Sequence, residues 1–363
     1  MRKHYLDNIR WVTIITVVFF HVFYMFNNEA KAGVVGPICN FRYQDGIQYL
    51  LYPWMMILLF LVSGICARYY LENHTVKEFV KARTTKLLVP STIGLFVFHW
   101  VQGYVLMRLS GVFEKIGNQP IGNFLLMALT GTGVLWFIQT LWLFSMVLAL
   151  IKKFERGKLF ALTGKANAYI AIALVIPVYL SSFVLNTPAV VVYRFGIYGV
   201  TFLLGYFVFA HEELIEKISR LTIPLIISSA VLGVVYLVLH FGDNYAENPT
   251  FNSIPAIAYG WSVCLAMLGG FYKWYNKKTK LTEFMNKRSY GLYIFHYLPL
   301  SASAYYISRY TSLPAVLVYI LVFICAYTGG FLLNEIFSKI PFFRWALLGI
   351  KKEKKPESKP NNN

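Results

Sequence analysis

The chain has 363 residues, of which 57% are hydrophobic and only 14% charged, and its mean hydropathy is +0.54. An ordinary soluble domain carries about 25% charged residues, so a soluble globular fold is excluded. The apolar runs are also too continuous for the alternating strands of a membrane barrel. The net charge of +18 would suit a nucleic-acid partner, unless its placement along the chain has another cause.

Apolar stretches of about 20 residues, the length that crosses a bilayer, recur at about 9–26, 47–70, 87–107, 134–151, 166–184, 190–209, 222–240, 254–272, 289–307 and 314–338. The pattern predicts an all-α polytopic integral membrane protein of about ten transmembrane helices. The first run lacks a small-residue cleavage site and further spans follow it, so it reads as a first helix rather than a leader. Lys and Arg gather in alternate connections, at 1–10, 71–86, 152–165, 210–221, 273–288 and 339–363, whereas the intervening connections carry six. The positive-inside rule then puts both termini in the cytoplasm. The excess charge is a topology signal, and no nucleic-acid partner is needed to explain it.

In the first span, Arg10 and His21 are eleven residues apart, about three helical turns. They share one face and lie about 16 Å apart along the axis. Arg10 falls at the membrane surface, with Asp7 at i, i+3 to it. His21 falls near mid-depth, where an ionisable side chain marks a candidate functional site. Tyr49, Tyr52 and Trp54, near the outer boundary of the second span, read as aromatic-belt residues. Arg68, one turn nearer the cytoplasm than Gly64, either snorkels or joins a basic vestibule. The glycine-rich connection from Leu109 to Gly133 frames an outer opening or simply links two spans. Arg194, near the outer end of the sixth span, meets a polar acceptor or snorkels outward.

Cys66, Cys264 and Cys325 lie in spans, where a thiol is a small apolar filler. Cys39 stands alone in an outer connection with no disulfide partner there. There is no CxxC, metal-ligand spacing or phosphate-binding glycine motif. Residues 1–340 read as one membrane domain and 341–363 as a basic, disordered cytoplasmic tail. No outer connection is long enough for a soluble domain, so chemistry falls to the bundle or to an extracytoplasmic partner protein.

Five short motifs occur in order: Leu6-Asp7-x-x-Arg10-x10-His21, Leu59-Phe60-Leu-Val-Ser63-Gly64, Arg83-Thr-Thr-Lys86-Leu-Leu-Val-Pro90, Leu135-Trp136-Phe137 and Ser289-Tyr290-Gly291-x-Tyr293-x-x-His296. Together they resemble the membrane acyltransferase-3 family over nearly all of residues 5–340, and the opening and the second span look most like its glucan succinyltransferase branch. Two departures stand out. Lys86 replaces an arginine and lacks the planar fork that grips phosphate bidentately. Gly133-Val134 precede Leu135 where many relatives carry a histidine.

The resemblance implies transfer of an acyl group, acetyl or succinyl, from cytoplasmic acyl-coenzyme A, without a metal. The acceptor would be a hydroxyl of an extracytoplasmic carbohydrate or surface polymer, and the setting a bacterial plasma membrane. His21 would act as general base or covalent carrier, with Arg10 positioning the donor. Arg83 and Lys86, with Arg68, would bind coenzyme A phosphates through charge-assisted hydrogen bonds. Asp7, Ser63, Trp136, Ser289, Tyr290 and His296 are further cavity candidates, and His296 is either a second polar partner or a packing histidine. The alternative is a secondary transporter of a small anion or glycan precursor, with Arg10 and His21 in substrate binding or proton relay. Against it, the sequence shows no repeat with paired broken helices, which many transporters have.

Overall fold

The structure, a computed structural model, describes residues 3–29, 33–40, 42–117, 119–187 and 192–351. Its principal helices are α1 (His4–Met25), α2 (Gly46–Leu71), α3 (Val76–Leu109), α4 (Pro120–Thr130), α5 (Gly133–Glu155), α6 (Ala168–Ser181) and α7 (Phe195–Phe207). They continue with α8 (Glu212–Arg220), α9 (Thr222–His240), α10 (Ile254–Trp274), α11 (Lys280–Phe295), α12 (Tyr297–Tyr310), α13 (Ala315–Lys339) and α14 (Pro341–Leu348). Among the described residues seven helices are long and apolar enough to cross a membrane: α1, α2, α3, α5, α9, α10 and α13. An eighth is added if the bent pair α7–α8 counts as one span. The protein is all-α and polytopic.

The remaining expected spans fall on interrupted helices. Helix α6 breaks at Leu174, where Pro177 has no N–H to return to the Ala173 carbonyl. In the same way Pro299 cannot donate to the Phe295 carbonyl, and the ninth expected span divides at His296 into α11 and α12. Helix α7 occupies most of the sixth expected span, and at its end the chain turns through 105° into α8, which lies in the expected connection at 210–221. Hydrophobic run length shows neither of the two proline breaks.

Close helix packing rests on glycine, as it does where no water drives helices together. A Cβ on Gly64 of α2 would run into the Phe202 carbonyl of α7, and one on Gly205 into the Leu61 carbonyl. Helix α3 contains π-helical turns at Thr84–Leu88 and Leu95–His99, a local widening frequent at functional sites. The glycine-rich connection after α3 is not a plain loop: α4 lies back on α3, with Gly103 under the Met127 carbonyl and Gly131 under the His99 carbonyl. Apolar side chains such as Ile227, Val234 and Val238 of α9 and Val316, Ile320 and Ile324 of α13 face outward, as a lipid-contacting wall requires.

The chain beyond residue 340 departs from the expected disordered tail. Pro341–Leu348 form helix α14, and Ala346, Leu347 and Leu348 are buried. The spacing of apolar residues there was masked by the basic run that follows. Residues 352–363 of that expected tail lie outside the described residues.

Candidate active site

Two centres lie on one face of α1. At the first, Arg10 pairs with Asp7 at 3.3 Å and lies near enough to the Cys66 thiol of α2 for its charge to act on it. Arg83 and Lys86, from the first π-helical turn of α3 and its approach, come close enough for their charges to interact with Arg10. Among the described residues neither Arg83 nor Lys86 is paired with a carboxylate. Of the three cations only Arg10 is paired with a carboxylate among the described residues, that of Asp7. Like charges held together raise the free energy of the empty site, and an anionic ligand lowers it.

Cys66 lies three residues from Ser63, so the two share a face of α2. With Met56 and Tyr52 further out they make a part-exposed stripe along the middle of α2, whose other residues from Pro53 to Ala67 are buried. This stripe runs beside Asp7, Arg10, Ile14, His21 and Tyr24 of α1, which are likewise not fully buried. The proximity of Arg10 to Cys66 sets the relative height of the two helices. From Cys66 to the outer end of α2 at Gly46 is about 30 Å, and from Arg10 to His21 about 16 Å. His21 is thus half-way along α2.

At this second centre His296 is completely buried. Its Nδ1 lies 2.8 Å from the Tyr293 carbonyl and 3.2 Å from the Leu292 carbonyl. Carbonyls only accept, so in the neutral ring Nδ1 carries the proton and Nε2 is the acceptor. His21 Nδ1 sits 3.2 Å from that Nε2 and must be the donor. The His21 tautomer follows: Nδ1 is protonated and Nε2 presents a lone pair. Tyr297 stands edge-on to His21 at 5.2 Å between ring centres, and Tyr24 at 6.3 Å.

The five motifs converge on these centres through α11. Tyr290 donates its hydroxyl to the Lys86 carbonyl, and its ring lies 4.2 Å from the Lys86 ammonium. Gly291 makes room for Asn334 of α13. Tyr293 donates to the Val134 carbonyl, fixing the start of Leu135-Trp136-Phe137. Phe137 touches both Tyr293 and Phe60, at 5.8 and 4.7 Å between ring centres. Motifs up to 275 residues apart in sequence are held in register by one helix.

A family model described as an acyltransferase domain matches residues 3–335 of the chain. The chain belongs to the acyltransferase-3 family. No curated protein and no solved structure matches it. Family membership decides for an enzyme over the transporter considered from sequence, and the structure puts the acyltransferase in a membrane.

Not every expected site residue of this acyltransferase joins the two centres. Arg68 pairs with Glu72 at 3.3 Å and lies flat on Phe160 at 3.6 Å, beside Tyr206, rather than in the Arg10 cluster. Ser289 is buried in α11. Trp136 packs on Tyr198 and Tyr193, 5.6 and 6.1 Å away. The tyrosines taken for a belt are internal: Tyr49 bonds Asp243 and Gly242, and Tyr52 accepts from Arg194 at 3.3 Å. Arg194 is wholly buried, donating also to the Ala246 carbonyl at 2.7 Å and Asn248 at 3.2 Å, so it does not snorkel. Tyr297 and Tyr24 were missed. The signal for Tyr24 was present, one turn beyond His21, while that for Tyr297 was adjacency to His296.

Proposed function

We propose that this acyltransferase moves an acetyl or succinyl group from acyl-coenzyme A to a carbohydrate hydroxyl across a bacterial plasma membrane. The donor binds at the cytoplasmic end, and the acceptor is presented from the outer side. The observation that carries the reading is the tautomer of His21, set by the carbonyl-anchored His296, directly above an under-neutralised cation cluster. Arg83, Lys86 and Arg10 suit the phosphates of coenzyme A, and the acyl thioester then extends along the α1–α2 stripe toward His21. There Nε2 accepts the proton of the attacking hydroxyl as its oxygen bonds to the thioester carbon. Collapse of the tetrahedral intermediate breaks the carbon–sulfur bond, and the departing thiolate takes the proton back from Nε2. The ester leaves on the outer side and free coenzyme A on the inner.

The test uses purified protein in vesicles with radiolabelled acetyl- or succinyl-coenzyme A and added glycan. Wild type should release coenzyme A and label the glycan, whereas His21→Ala, matched for folding, should lose on the order of 10²–10⁴ in rate. Label retained on wild-type protein without glycan would make His21 a covalent carrier instead of a base. An undiminished rate in His21→Ala would overturn the assignment.

A further inference from the structure

Helix α14 lies beyond the family match, which ends at residue 335, yet it touches the cation cluster. The carbonyls of a helix's last turn have no partner within the helix. That of Leu348 receives its hydrogen bond from the Lys86 ammonium, at 3.1 Å. The helix stops at Gly349, which adopts φ +61° and donates to the Trp345 carbonyl at 3.0 Å, a left-handed glycine cap. The same glycine lets the chain lie against α3: a Cβ there would strike the Thr85 carbonyl and come 2.7 Å from Lys86 Cα. About two turns further along α3, a Cβ on Gly94 would meet the Ala346 carbonyl at 3.2 Å. The two glycines thus allow backbone-to-backbone seating of α14 on the π-helical turn that carries Lys86.

We propose that α14 is a positioning element of the donor site, holding the Lys86 ammonium between the Leu348 carbonyl and the Tyr290 ring. An ammonium has three donors. With one on a carbonyl at the negative end of a helix and its face on an aromatic ring, Lys86 is held beside Arg10 instead of sweeping through its many rotamers. This compensates for the missing guanidinium fork: a lysine made stationary does what an arginine does by shape. The proposal rests on the donor reading above and adds to it a segment that the family motifs do not include.

The experiment measures coenzyme A binding to full-length protein in detergent, and kcat and KM for acetyl-coenzyme A. The variants are Gly349→Ala, Lys86→Met and the double variant. Gly349→Ala should weaken coenzyme A binding about tenfold and raise KM in step, with kcat changed less than about twofold. In the Lys86→Met background the same substitution should have no further effect, because it acts through Lys86. A merely structural role would weaken both backgrounds alike. If Gly349→Ala does not fold, a chain ending at Ile340 takes its place with the same expected non-additivity. Wild-type affinity in the variants, or a double variant that loses the product of the two single effects, overturns the proposal. Absence of coenzyme A binding by wild type would instead overturn the donor reading, and this proposal with it.

Discussion

At the scale of single residues, the decisive contact is between two histidines. His296 has no opening of its own, since its Nδ1 is spent on two backbone carbonyls and its Nε2 on His21. It acts only through His21, as a positioning residue. His296→Ala should therefore lower kcat on the order of 10–100-fold, the range for losing the partner that orients a functional imidazole. KM for the donor should stay within about twofold, because the cation cluster is untouched. His296→Gln, whose amide oxygen can accept from His21 Nδ1–H, should recover part of the loss. A raised KM with normal kcat would place His296 in binding rather than in orientation. The sequence put both histidines inside expected spans, 9–26 and 289–307, and that was legible. Their contact was not, because which faces of α1 and α11 meet depends on every helix between them.

At the scale of elements, the bend between α7 and α8 has its own pin. His211 lies in the turn outside both helices, stacked on Phe160 at 3.9 Å between ring centres. Its Nε2 is 3.0 Å from the Phe160 carbonyl and 3.3 Å from the Thr163 hydroxyl. Burial lowers its pKa, and the guanidinium of Arg68 lowers it further, while carbonyl hydrogen bonds oppose both. The folded pKa lies below the unfolded value of about 6.5, so the unfolded chain takes up the proton first. The neutral ring's contribution is whole above about pH 6.5 and is lost as the pH falls through the folded value. Thermal melting of wild type should drop on acidification from pH 7 to 5 more steeply than that of His211→Gln, which keeps a donor for Phe160 but cannot titrate. Parallel curves would remove the pin. Arg68, expected in the donor site, earns its place here: the cation is part of the bend.

At the scale of the whole molecule, the sequence carried the helices better than their breaks and the motifs better than their meeting. Continuous spans such as α2, α10 and α13 are visible because bilayer thickness imposes a run length on composition. The breaks at Leu174 and His296 come from single prolines, and α14 comes from a short apolar group beside a basic run; neither changes composition over a span. What the fold adds is separation. The cation cluster and the histidine pair sit at two levels of one face, about 16 Å apart, joined by the Asp7–Arg10–Ile14–His21 edge of α1. A donor whose phosphates and thioester are separated by a flexible arm engages the two levels independently, so binding and chemistry should come apart on mutation. Arg83→Ala removes charge-assisted hydrogen bonds worth about 1.5–3 kcal/mol, which corresponds to roughly a 10–100-fold rise in KM for acyl-coenzyme A. Its kcat should change less than about threefold, since His21, His296 and Tyr297 keep their contacts. His21→Ala should show the converse, a collapse of kcat with donor affinity preserved. Steady-state kinetics on the two variants, with coenzyme A binding measured directly, checks both halves. An Arg83→Ala enzyme whose kcat falls as far as its KM rises would mean that the cluster takes part in the chemical step, and the two-level description would have to be replaced by a single site.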